Sequence, residues 1–551
     1  MESEDEFDEK QKGEDLTHKI AGDFGRWQLV ISISMALLKL PVAWYHMNII
    51  FLAPPQDFWC RKPEMLLNVT EHEWREIFLP KSNNHSCFYD APIISNQSLT
   101  NRSGTASQVN CRSFDYDTSV FNRTIISDWD LVCSNRWLVH LSQIVLMLGI
   151  LLGGILFGAL ADRYGRKHPL MAAIIIQSVC GFSSGTLSIF WVFLLNRFVL
   201  ALSTGGIAVM AFVLCMEVVS GKWRTIVPVL CQLPFGLGAA IMSGMAYWWR
   251  DWRKLEFSLG CLSSLYVLYW FWIPESPRWL LATGQTEKAL GVLRDAAKKN
   301  KRPFNINDVN LLLQQKAGAA TDQPRFTAFL KSPNMRRKTF LLSLNWLFTG
   351  IAYYTFAQYL GALGDNIFLT VATSGVISTP GAIISIFVLA KLGRKATIGG
   401  FQLLTCLCFV LLLVVPKNLY VNDWPRLLCA GVGMAGMAGS IPALYLFTAE
   451  LYPTIGRNVG VGGVSIFARV GSMIAPLFVG LDEIMENLTL IVLACMSLAQ
   501  ILLVVPLPDT RGYPLPATLE EAEGFTRRQR KDYFKEQKDK NHQSETLPTV
   551  Y

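Results

Sequence analysis

The sequence predicts an all-α membrane protein: twelve transmembrane helices in two six-helix pseudo-repeat halves, with a large extracellular loop between helices 1 and 2. Three observations carry that expectation. Only 17% of the 551 residues are charged, while 51% are hydrophobic and 12% aromatic; soluble domains carry about 25% charge. Apolar runs near the ~20 residues that cross a bilayer recur along the chain. A similar charged turn follows the second and the eighth of these runs. The net charge of +8 gives no reason to expect a nucleic-acid partner, and the partner that composition implies is the lipid bilayer.

Residues 1–22 open MESEDEFDEK and read as a disordered acidic tail. That acidity is the reverse of a signal peptide's basic start. The first half, 23–275, begins with a span at about 27–52 that carries Lys39 near its middle. Residues 54–136 form a polar segment with Cys60, Cys87, Cys111 and Cys133 and with N-x-S/T sequons at Asn68, Asn84, Asn96, Asn101 and Asn122. Four cysteines beside five sequons describe an oxidised, glycosylated outside loop. Two disulfides are expected, with three pairings open. Spans follow at about 137–160, 169–188, 191–218, 226–248 and 256–274.

Residues 276–338 form a linker rich in Lys and Arg, the mark of a cytoplasmic loop. Within it TEKALGVLRDAAKK spaces its apolar residues as an amphipathic surface helix does. The second half, 339–507, supplies spans at about 339–362, 368–390, 397–416, 426–449, 458–481 and 488–507. An even count leaves both termini cytoplasmic. The tail, 508–551, ends Thr549-Val550-Tyr551, an ending that suits a PDZ-type scaffold groove.

The turn after the second span reads Gly158-Ala-Leu-Ala-Asp162-Arg163-Tyr-Gly165-Arg166-Lys167, and its counterpart after the eighth reads Lys391-Leu-Gly393-Arg394-Lys395. Six spans separate them, the sign of a duplicated unit. Pro274-Glu275-Ser276-Pro277-Arg278-Trp279-Leu280 follows the sixth span, and Glu450-Leu-Tyr-Pro-Thr-Ile-Gly-Arg457 the tenth. With the cysteine-bearing loop and the tail Pro508-Asp509-Thr510-Arg511, these motifs make the chain resemble the organic ion transporter branch of the major facilitator superfamily over residues 20–525. The resemblance implies a major facilitator fold with a plasma-membrane location. It also implies a latch of inner-face charges, Asp162, Arg163, Arg166, Glu217, Arg224, Arg394, Glu450 and Arg457, bridging the halves when the protein faces outward. Arg197, in NRFVLALSTGG, resembles the family's R-F-x-x-G segment.

Two cations stand out inside the spans. Arg469 lies twelve residues beyond Arg457, roughly 18 Å along a helix, and Lys39 lies as deep in span one. A charge at the bilayer centre costs at least about 2.5–3.5 kcal/mol, which marks both as functional candidates. Around them the spans offer Gln232, Trp346, Tyr353, Tyr354, Gln358 and Tyr445 as candidate substrate contacts. In the resembled family, cation carriers usually have Asp where Arg469 stands, whereas anion and carnitine-type carriers have Arg. Many relatives also carry an acid at the position of Ser378. The expected substrate is therefore a small organic ion, leaning to zwitterionic or carboxylate-bearing amines of carnitine or β-alanine type. Alternatives are a polyspecific organic cation transporter, a sugar transporter and a non-transporting membrane solute sensor. No Walker loop, metal-ligand spacing or nucleophile motif occurs in the sequence, so no enzyme activity, cofactor or metal is expected.

Overall fold

A backbone in hydrocarbon has no water to bond, and an apolar run there satisfies itself as a helix. The computed structural model describes residues 20, 22, 24–62, 70, 74, 87–90, 108–219, 223–303, 326–360, 363, 366–416, 419–453, 456–511, 516 and 518–525. The acidic tail to residue 19, the sequons at Asn68, Asn84, Asn96 and Asn101, and the Thr549-Val550-Tyr551 ending lie outside the described residues.

The first run, expected as one span, is three helices, α1 (Arg26–Leu37), α2 (Lys39–Met47) and α3 (Ile49–Leu52). Pro41 explains the first break, because a proline ring clashes with the carbonyl four residues back, here Leu37. The loop ends in α4 (Ile125–Trp129), where the Thr124 hydroxyl accepts from the Ser127 N–H at 3.1 Å. The first half continues with α5 (Trp137–Tyr164), α6 (Lys167–Ser184), α7 (Phe190–Val218), α8 (Trp223–Leu230), α9 (Leu233–Trp249) and α10 (Trp252–Ser264), the last running on as a 3-10 helix to Phe271. The fifth span is thus also broken, at Cys231–Gln232, where the Pro234 ring would clash with the Leu230 carbonyl four residues back. The linker carries α11 (Pro277–Ala282), α12 (Thr286–Lys299) and α13 (Ala328–Lys331). The second half is α14 (Pro333–Tyr359), α15 (Ile367–Leu392), α16 (Arg394–Val414), α17 (Trp424–Leu451), α18 (Arg457–Val479) and α19 (Leu488–Val504), followed by the short α20 (Leu519–Gly524). Among the described residues eight helical stretches are long and apolar enough to cross a membrane. Helices α6, α9, α10 and α19, of 18, 17, 13 and 17 residues, fall outside that set.

The two halves repeat one packing scheme. In the first, α5 packs on α7, α6 on α7, and α6 on α10; in the second, α15 packs on α17, α16 on α17, and α16 on α19. The halves touch through α9 against α15 and α5 against α18. Lipid tails are as apolar as leucine, so helices in a bilayer associate by close fit and not by a hydrophobic push. Gly236 and Gly375 provide that fit between α9 and α15. A Cβ on either residue would sit 2.6 Å from the carbonyl oxygen of the other.

The buried core divides in a telling way. One cluster joins both halves at the end of the helices nearest the cysteine loop, combining Trp44, Phe51, Phe121 and Trp252 with Phe356, Phe368 and Phe409. Toward the linker end the core splits in two. Trp27, Phe157, Met171, Leu214 and Ile273 belong to a cluster of the first half and the linker helix α12, while Phe329, Trp346, Phe447, Tyr452 and Phe525 form one in the second half and its flanks. The buried apolar core is thus shared by the halves at the loop end and divided between them at the linker end.

In the loop, β1 (Phe58–Cys60) pairs antiparallel with β4 (Phe114–Tyr116), and β2 (Phe88–Asp90) with β3 (Gln108–Asn110). The disulfides are Cys60–Cys111 and Cys87–Cys133, selecting one of the three open pairings. Asn122 is exposed, as a glycan acceptor must be.

Candidate functional site

At the linker end each half holds a charged turn built on a glycine with positive φ, Gly165 at 96° and Gly393 at 88°, a region that favours glycine. In the first half the Arg166 guanidinium reaches Asp162 at 2.6 Å and Glu217 at 2.9 Å. Burial works against the Arg166 charge, but these bonds outweigh it and hold the group above its ordinary value. Glu275 accepts from the Arg166 backbone N–H at 2.6 Å and from Lys167 at 3.2 Å, so it caps α6. The Trp279 indole donates to the Asp162 carbonyl at 2.8 Å.

In the second half Arg394 reaches Glu450 at 2.7 Å, and the Thr510 hydroxyl donates to the same carboxylate. Each motif arginine thus grips the acid at the end of the fourth helix of its own half. Among the described residues none of these ion pairs joins the two halves. Arg163 is exposed beside the Tyr164 ring. Arg457 opens α18 and is half-buried, and the Arg224 side chain lies outside what is described.

Deeper, residues from both halves meet. Lys39 is the first residue of α2, placed at the helix break, and is buried. Arg469 lies mid-way along α18 and is half-buried. Its charge acts on Lys39, His46, Tyr354 and Tyr445. Among the described residues no acid pairs with Lys39 or Arg469.

An aromatic chain lines the same region. The His46 ring stacks on Tyr354 at 6.1 Å and meets the Phe235 edge at 6.0 Å. Tyr353 lies 5.3 Å from Tyr354 and 6.5 Å from Phe235. Trp346 lies 4.4 Å from Tyr445 and donates to the Thr448 hydroxyl at 3.2 Å. His46 Nδ1 stands 2.7 Å from the Val42 carbonyl, which can only accept, so Nδ1 carries the proton and Nε2 is left as an acceptor.

Lys39, Trp346, Tyr353, Tyr354, Tyr445 and Arg469 therefore belong to one connected neighbourhood. Gln232 sits half-buried at the α8–α9 break, and Gln358 is half-buried with an amide nitrogen that has no partner among the described residues; neither is in ring contact with the others. Ser378 is occupied by a 2.8 Å bond to the Gly375 carbonyl. His46 and Phe235 were not among the expected contacts, because only the approach of α2, α9 and α14 brings their rings together.

One further charge network is structural. Arg197, buried on α7, donates to the Ser142 carbonyl at 3.3 Å, to Asn48 Oδ1 at 3.1 Å and to Gln143 Oε1 at 3.3 Å. The Asn48 amide in turn donates to the buried Glu256 at 2.6 Å. Asn48 thus bridges a cation and an anion that are both out of reach of water.

Comparison with known proteins now decides the family. Residues 88–415 match the sugar (and other) transporter family. An organic cation transporter protein of Drosophila melanogaster is 31% identical, the match covering 93% of this chain and 94% of that one. The organic anion transporter 3 of Sus scrofa is 32% identical over 92% of this chain and 93% of its own. The chain belongs to the organic cation and anion transporter family. Among solved structures, the inward-open xylose transporter XylE from E. coli superposes with a TM-score of 0.60 at 17% identity, covering 90% of this chain and 99% of that one. That likeness establishes the major facilitator fold. This family member is a multi-pass membrane transporter and not an enzyme.

Proposed function

We propose that the protein carries small organic ions across the plasma membrane by alternating access, as a secondary-active or facilitative transporter leaning to zwitterionic or carboxylate-bearing amines. The observation that carries this reading is the pair of inward cations, Lys39 and Arg469, without an acid beside them among the described residues. Two lone positive charges repel a bare cation and draw a carboxylate, whose bidentate pairing with a guanidinium offsets desolvation. The amine of the same solute would lie against the faces of Tyr354, Tyr353 or Tyr445. Gln232 and Gln358 complete the set as hydrogen-bonding candidates.

Topologically, we read the shorter helices α6, α9, α10 and α19 as spans too, giving twelve passes with both termini cytoplasmic and a glycosylated outside loop of residues 54–136. The parted end of the core then faces the cytoplasm. In this reading the Arg166 and Arg394 clusters belong to an inner latch whose bridging partners lie apart while that side is open. Arg166→Ala and Arg394→Ala should each lower the uptake rate without changing the order in which competing solutes inhibit. A changed order would place these residues in selectivity.

The substrate reading is tested by Arg469→Gln. Losing one hydrogen-bonded charge contact, about 1.5–3 kcal/mol, lowers affinity by roughly 10- to 150-fold. Uptake of labelled carnitine should fall by that factor at limiting concentration, while any uptake of tetraethylammonium holds or rises. Undiminished carboxylate uptake would sink the assignment. A polyspecific organic cation transporter is the second reading, favoured by the aromatic lining and by the name of the Drosophila relative. Competition by cations, anions and zwitterions against one tracer separates the two. Sugar transport predicts inhibition by hexoses instead, and a non-transporting sensor predicts no acceleration of uptake into preloaded vesicles.

A further inference from the structure

Two thiols that the transport reading does not use lie together beside Lys39. Cys215, on α7, and Cys231, at the break between α8 and α9, bring their sulfurs to 3.5 Å, and both residues are buried. The Cys231 thiol also donates toward the Ser32 carbonyl of α1 at 3.6 Å. Three helices therefore meet at the pair, and the Lys39 ammonium acts on both sulfurs. Reactive cysteines sit in electropositive, partly exposed surroundings; this pair has the nearby positive charge, and its burial limits access to small reagents.

We propose that Cys215 and Cys231 form an oxidation site for a small peroxide, closing to a disulfide that ties the broken fifth span to α7. The sulfurs need only close from 3.5 Å to about 2.05 Å. One thiol sulfur attacks a peroxide oxygen, giving a sulfenic acid and one water. The second thiol then displaces the hydroxyl from that sulfur, forming the S–S bond and releasing a second water. Two thiols are oxidised and one peroxide is reduced. Hydrogen peroxide is small and uncharged, so it suits a site closed to bulky reagents.

The location gives the bond a consequence. Both sides of the break meet α15 of the other half, α9 more extensively than α8. A bond at Cys231 pins the joint between these segments to α7, next to the α2 that carries Lys39. Oxidation therefore acts as a clasp on the half-to-half movement, and dithiol reductants release it.

The test treats the full-length protein in cell membranes with hydrogen peroxide, blocks remaining thiols after denaturation and maps peptides without reduction. The expected product joins the Cys215 and Cys231 peptides, is two hydrogens lighter than the separate pair, and vanishes with dithiothreitol. Absence of that product when the exposed Cys261 and Cys495 are already oxidised overturns the proposal, and this readout needs neither a variant nor a known substrate. Uptake of labelled carnitine, which rests on the carrier reading and is checked first in untreated membranes, should fall by half or more on oxidation. Cys215→Ser and Cys231→Ser should each abolish that fall. A linked peptide with unchanged uptake would overturn the clasp.

Discussion

A Gly375→Val variant is expected to reach the cell surface and to lose most of its uptake. The new Cβ would meet the Gly236 carbonyl at 2.6 Å, and that neighbour is backbone, which cannot swing aside. Overpacking of this kind costs typically 1–3 kcal/mol. The penalty falls on the contact between α9 and α15, which joins the halves, so it is felt most in the state where they press together. A bias of that size shifts a two-state equilibrium by about 5- to 150-fold. Gly236→Val should act in the same way because the contact is reciprocal, and the double variant should be no better. Uptake normalised to surface protein is the measurement. Normal transport by both single variants would mean that the helices pass one another with room to spare.

The second large effect concerns folding. Arg197→Leu should reduce the folded yield and the melting temperature sharply, because it removes the cation that Asn48 links to the buried Glu256 and leaves that acid without a nearby positive charge among the described residues. Breaking a buried charge pair by removing one partner costs about 3–5 kcal/mol, whereas replacing both by apolar groups is often close to neutral. The double variant Arg197→Leu with Glu256→Leu should therefore recover much of the lost stability. Thermal unfolding in detergent, read for both singles and the double, separates this from a role in transport. If the double variant is the sum of the singles, the two charges do not depend on one another.

Much of the architecture was legible in the sequence because it follows from one-dimensional quantities. Hydropathy locates most of the helices, and the repeated glycine–arginine turns announce two halves. The breaks in the first and fifth spans were written there too, as Pro41 and Pro234, but a window that averages hydropathy passes over a single proline. Other features were not legible in principle. Four cysteines leave the pairing open until β1 meets β4 and β2 meets β3. The His46–Phe235–Tyr354 contacts need three helices to converge. Asp162, Arg166, Glu217, Arg394 and Glu450 were recognisable as a charged set, yet sequence carries no information about which conformation is occupied. Here each arginine is satisfied inside its own half.

The loop disulfides have a consequence for how motion can be observed. Cys87–Cys133 ties the strand pair of the loop to the start of α5. Arg253 and Trp252 hold Asp128 at 2.9 and 3.0 Å, fastening the same segment to α10. Phe121, by contrast, only leans on Phe368 of the other half, with ring centroids 5.2 Å apart. The described part of the loop is thus a handle bolted to the first half. A fluorophore fixed near the exposed Asn122 and a second on α15 would report the turnover cycle as a change in distance, and an antibody wedged beneath the handle would stall it.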